Sequence, residues 1–114
     1  PVDWYTLLSC SNQVVAMKPC ERIEIVVENS MVPRLTALIK QLGVDGYTLV
    51  PDVRGSGDRG MRRADELSGE SSNCLVLIAC DNQALVDALL EGVRPLLVRV
   101  GGICLVSDAQ WLRH

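Results

Sequence analysis

The run NCLVLIAC at residues 73–80 is apolar on both sides of any strand it forms. Alternate side chains of a strand point to opposite faces, so Val76 and Ile78 point one way while Leu75, Leu77 and Ala79 point the other. Residues 102–107, GICLVS, repeat the pattern, with Ile103 and Leu105 opposed to Cys104 and Val106. A sheet built from such strands needs cover on both faces, because soluble chains avoid large exposed apolar patches. The chain has 114 residues, 48% of them hydrophobic, and no phenylalanine. That is enough for one domain with one modest core, built from Leu, Val, Ile, Ala and Cys.

Two more strands and two helices can be placed. Residues 22–28, RIEIVVE, are short and rich in β-branched side chains, which predicts a strand. Asn29 or Ser30 then offers an N-cap and Pro33 fits a first helical turn. Leu35, Leu38, Ile39 and Leu42 repeat at i, i+3, i+4 and i+7, one face of a helix, and Gly43 supplies its stop. Residues 47–54, YTLVPDVR, predict a second strand, placed at a sheet edge because Pro51 has no N–H to donate to a ladder. After the third strand, Asp81 is a candidate N-cap. The second helix carries Leu85, Val86, Leu89, Leu90 and Val93 and is expected to end before Pro95.

The order β-α-β-β-α-β predicts an α+β, ferredoxin-like sandwich with both helices on one sheet face. The other face stays apolar and uncovered, so it is expected to be buried against further copies of the chain. A fold-back of residues 1–20 is the alternative cover.

Composition removes several function classes. Net charge is −3, giving no basic field for nucleic acid. An RNA-binding module with the same element order stacks bases on strand aromatics, and RIEIVVE and NCLVLIAC hold none. Five cysteines without a CxxC pair, and one histidine at position 114, disfavour both zinc and a secreted disulfide framework. Cys74 and Cys80 lie about 20 Å apart along one strand, too far to bridge. Catalysis is not expected, since no cysteine has an evident base and the neighbours Asp65 and Glu66 read as solvated loop charges. No run approaches the roughly 20 apolar residues of a membrane span. Residues 1–16 lack a basic leader, so a cytoplasmic protein with reduced thiols is expected.

Residues 55–72, GSGDRGMRRADELSGESS, are too long for a simple hairpin turn. Arg54, Arg59, Arg62 and Arg63 come first, and Asp65, Glu66 and Glu70 later. Gly55, Gly57 and Gly60 allow successive amides to converge on one point as an anion nest. With the guanidiniums beside them, they could seat a phosphate or carboxylate. A solvated, mobile hairpin tip is the plainer reading of the same residues.

The element order together with GYTLVPDVRGSG, residues 46–57, resembles the PII signalling family, and GICLVSDAQWL resembles its inorganic-carbon-sensing, carboxysome-associated and SbtB-type branch. The resemblance spans residues 21–114. Residues 1–20 then form an N-terminal extension, with Met17 a candidate natural start. It implies a homotrimer with inward-facing sheets, a long T-loop between the second and third strands, and adenine nucleotides in clefts between subunits. By position, Thr48 would contact adenine, and Arg54, Gly55, Ser56 and Gly57 the ribose and phosphates. Gly101, Gly102 and Ile103 would line the opposite wall, and Arg113 would reach phosphate.

The departures refine that expectation. The family's glycine-rich phosphate loop is replaced by RPLLVRVGG, which carries Arg94 and Arg99, and the T-loop has no tyrosine for uridylylation. Arg59 stands where classical members use a glutamine for Mg-ATP and 2-oxoglutarate, and a guanidinium repels a metal ion but holds a small anion. ADP or AMP is therefore expected, with ATP or cAMP as further candidates, and bicarbonate near Asp58, Arg59 and Gly60. The implied partner is a protein such as a bicarbonate transporter or a carboxysome component. A nitrogen-regulatory protein sensing ATP, ADP and 2-oxoglutarate is the alternative.

Overall fold

The computed structural model describes residues 16–55 and 72–112. Strand β1 is Met17–Glu28, followed by a 3-10 turn at Asn29–Met31 and helix α1 at Val32–Leu42. Strands β2 (Thr48–Val53) and β3 (Asn73–Cys80) come next, then helix α2 (Gln83–Val100) and strand β4 (Ile103–Leu112). The four strands form one antiparallel sheet in the order β2-β3-β1-β4. This is the expected βαββαβ sandwich, with β2 at an edge.

One face of the sheet carries the core. Ile23, Ile25 and Val27 of β1 and Cys74, Val76 and Ile78 of β3 are buried with Leu35 and Ile39 of α1 and Val86, Leu89, Val93 and Leu96 of α2. Each helix contributes the stripe that its 3.6-residue spacing predicts. Fully burying a side chain such as Leu89 contributes about 1.5–3 kcal/mol. Gly43 ends α1 at φ 83, a left-handed geometry that glycine adopts without a Cβ clash.

Among the described residues nothing covers the other face, as the strand periodicity predicts; residues 1–15 of the alternative fold-back lie outside them. Register places Val50, Leu75, Val26 and Ile103 side by side across all four strands, and Thr48, Leu77, Glu24 and Leu105 in the next row. Val50 is 42% exposed, Ile103 52% and Leu105 57%, and both helices pack on the opposite side.

Four local expectations are corrected. Strand β1 begins at Met17, not residue 22, and β4 ends at Leu112, not residue 107. Beyond Glu21, where β3 stops, the two continue as a two-stranded ribbon pairing Cys20 with Ala109 and Met17 with Leu112. Pro19 sits there, where β1 has lost one neighbour and a missing N–H is tolerated. Pro95 lies inside α2. It forfeits one helical hydrogen bond, but burying Leu96 and packing Leu97 carries the helix onward, so Arg94 and Arg99 are helical rather than loop residues.

The caps also move. The N-cap of α2 is Asn82, whose Oδ1 accepts from the Leu85 N–H at 3.2 Å, while Asp81 pairs with Lys18 Nζ at 2.6 Å. Neither Asn29 nor Ser30 caps α1; Met31 holds that position without a side-chain bond.

Candidate functional site

Strands β2 and β3 meet at one pole of the sheet, where Val53 pairs with Asn73 and Asn73 also pairs with Glu28. The segment joining them leaves and returns here. Its return is fixed from β1's side: the Asn29 N–H donates to Ser72 O at 3.0 Å, and Asn29 Nδ2 donates to Ser72 Oγ at 2.7 Å. Asn29 thus holds the end of the connection instead of capping a helix.

On the outgoing side the ladder slips between Val50 and Val53, and Asp52 takes φ 58. A non-glycine residue in the left-handed region is sparsely populated and stores backbone strain. Pro51 gives up its ladder bond, and the irregularity turns the chain before Arg54 and Gly55. Thr48, Arg54 and Gly55 are all exposed along this edge.

The second group of predicted residues lies elsewhere. Helix α2 ends at Gly101, whose N–H donates to Leu97 O at 2.8 Å. Gly102 follows at φ 125, and a Cβ there would lie 2.4 Å from Val26 O. Only glycine lets β4 start so close to β1. Ile103 then pairs with Val26 and leaves 52% of its surface exposed. Arg99, in the last turn of α2, places a cation where the helix carbonyls are unpaired.

Strand order decides how these groups relate. Thr48, Arg54 and Gly55 belong to edge strand β2 or follow it, and Gly101, Gly102 and Ile103 lie at the opposite edge, at β4. Three strand spacings, about 14 Å, separate the two edges. One chain therefore does not bring the two groups together. Ser56, Gly57, Asp58, Arg59, Gly60 and Arg113 lie outside the described residues.

Sequence reasoning missed a second feature at the far pole. A cavity of about 380 Å³ is lined by Cys20, Glu21, Cys80, Asp81 and Asp108, among others. Glu21 faces Asp108 across the β1–β4 ladder. Loss of water raises the Glu21 pKa, and the Asp108 charge and a hydrogen bond between the carboxyls raise it further. Burial pushes the Cys20 thiol up, with Asp81 adding to it. The signal was the extended register of β1 and β4, which only the folded sheet reveals. Among the described residues, no helix is long and apolar enough to cross a membrane.

Comparison with known proteins gives a consistent picture. The family model for nitrogen regulatory protein P-II matches residues 20–114. The chain is similar to CPII, a nitrogen regulatory PII-like protein from Thiomonas intermedia K12. The CPII structure bound to ADP and bicarbonate has a TM-score of 0.73 at 30% identity, over 86% of this chain and 93% of that one. The form bound to ADP, AMP and bicarbonate has a TM-score of 0.73 at 28% identity, over 87% of this chain and 99% of that one. A putative PII-like signalling protein from Thermus thermophilus shares the fold, with a TM-score of 0.62 at 23% identity over 82% of this chain and 89% of that one. A search of curated proteins returns no match.

Proposed function

Because the chain belongs to the family of nitrogen regulatory protein P-II, we propose that it is a non-catalytic regulator binding ADP or AMP in clefts between the subunits of a homotrimer. The observation that carries this reading is the split site. The Thr48, Arg54 and Gly55 edge and the Gly101–Ile103 edge lie on opposite sides of one sheet, so a cleft using both is made by two copies. The apolar row Val50, Leu75, Val26 and Ile103 gives those copies a reason to associate.

In such a cleft Thr48 contacts the adenine, while Arg54 and the backbone of Gly55, Ser56 and Gly57 approach the ribose and phosphates. Gly101, Gly102 and Ile103 of the next subunit form the far wall, and Arg113 reaches phosphate. Bicarbonate is the co-ligand, held by Asp58, Arg59 and Gly60, as the CPII complexes with ADP and bicarbonate encourage. Bicarbonate neutralises the arginines of residues 54–72, and the changed charge is read by a cytoplasmic partner in inorganic-carbon metabolism, such as a bicarbonate transporter or a carboxysome component.

Isothermal titration with ADP, with and without bicarbonate, tests the binding, and light scattering tests the assembly. The expected result is a trimer that binds ADP more tightly when bicarbonate is present. Linkage then requires ADP to tighten bicarbonate by the same factor. No heat with any adenine nucleotide overturns the reading.

A further inference from the structure

One ion pair interrupts the apolar sheet face. Arg22 and Glu24 are two residues apart on β1 and so share a side. Arg22 donates from Nε and Nη2 to the same oxygen, Glu24 Oε2, at 3.0 and 2.5 Å. Strand β1 is an inner strand, so the pair has a neighbour on each side. Leu77 and Leu105 flank Glu24, and Ala79 and Ser107 flank Arg22. The Glu24 side chain keeps only 25% of its exposure in the single chain, and Arg22 keeps 54%.

Two features of this pair suit it to contact with a second copy. Apolar neighbours already take water from Glu24, and anything that seals the face takes the rest. The geometry is also half used. Both donated bonds converge on Oε2, so neither uses Arg22 Nη1 or Glu24 Oε1. The pair therefore presents one spare charged donor and one spare charged acceptor side by side. A second copy of the same pair offers the matching acceptor and donor.

Resting on the trimer reading above, we propose that Arg22 and Glu24 are the self-recognition element of the sheet-face interface. The spare Glu24 Oε1 of each subunit accepts from Arg22 Nη1 of its neighbour, and the pairs close into a ring of alternating charge. Buried ion pairs add little net stability compared with apolar residues of similar volume, but an unmatched buried charge is strongly destabilising. The ring thus penalises apolar partners that lack the complementary pair, and wrong registers of the right partner. The apolar row supplies adhesion, and the ion pair supplies selection.

The test uses the full chain, with light scattering for mass and native mass spectrometry for subunit exchange between two isotopically distinct pools. Glu24→Arg and Arg22→Glu each create like charges in the ring and should weaken assembly about a hundredfold. The double exchange R22E/E24R should restore the trimer yet exchange poorly with wild type, because its charge order is reversed. Glu24→Gln, which keeps the shape and removes the charge, should speed exchange. It decides the matter if a reversal variant fails to fold by circular dichroism. A trimeric wild type whose exchange is unchanged in E24Q and E24R overturns this inference and leaves the trimer standing. A monomeric wild type overturns the trimer reading itself.

Discussion

A Cβ placed on Gly102 would lie 2.4 Å from the carbonyl oxygen of Val26. Real Cβ atoms do not approach backbone oxygen so closely, and the left-handed φ of 125 at Gly102 opposes a side chain for a second reason. The contact fixes where β4 begins relative to β1, and with it the wall proposed for Gly102 and Ile103.

Gly102→Ala should therefore be costly twice over, through strain and through displacement of β4, by about 1–3 kcal/mol. Gly43 also has a left-handed φ of 83, but nothing lies within 4 Å of a Cβ there, so Gly43→Ala pays only the conformational penalty, about 1 kcal/mol. Urea denaturation should rank Gly102→Ala below Gly43→Ala in stability. ADP titration should show lost affinity in Gly102→Ala alone. Equal destabilisation and equal affinity would show that the Val26 contact does not shape the wall.

Arg54 leaves β2 just after the Pro51–Asp52 irregularity and is exposed. No core residue leans on it, so Arg54→Ala should leave thermal unfolding unchanged in the absence of ligand. A charge-assisted hydrogen bond to phosphate contributes about 1.5–3 kcal/mol, so ADP affinity should fall ten- to a hundredfold, about what that energy implies. Adenosine, which has no phosphate, should bind the variant and the wild type alike. A matched loss for adenosine would move Arg54 away from the phosphates.

Local patterns made much of this fold legible. The spacing of Leu35, Leu38, Ile39 and Leu42 marked α1, Gly43 marked its end, and Pro51 placed β2 at an edge. The two-sided strands announced the bare face. What stayed hidden depends on partners distant in sequence. Met17–Cys20 and Ala109–Leu112 have no alternating pattern of their own and are strands because they pair with each other. Asn29 looks like a helix cap, and becomes a clamp only when Ser72 arrives beside it. Pro95 reads as a terminator because its missing N–H is local, whereas the burial of Leu96 that overrides it is not. The candidate residues were nameable from motif position. That the described ones divide between opposite edges follows from strand order, which no short stretch of sequence encodes.

Glu21 and Asp108 face each other across β1 and β4, an arrangement of like charges that destabilises a ladder when both are ionised. Desolvation, and then Asp108, hold the Glu21 pKa above its ordinary range. An acid whose folded pKa exceeds its unfolded value binds more protons in the folded state over the interval between them. Stability should accordingly rise as pH falls through the folded Glu21 pKa, and the gain is complete once pH drops below the unfolded value. Glu21→Gln removes the charge and keeps a donor for Asp108. It should raise the denaturation midpoint at neutral pH and flatten the pH dependence just above the usual glutamate range. Lys18 and Asp81 pair nearby at 2.6 Å, so Asp81→Asn serves as the control that alters local charge without touching the carboxyl pair. Denaturant titrations at neutral and mildly acidic pH provide the check. A Glu21→Gln variant with wild-type slope, or one less stable at neutral pH, would mean that burial and Asp108 do not raise the Glu21 carboxyl.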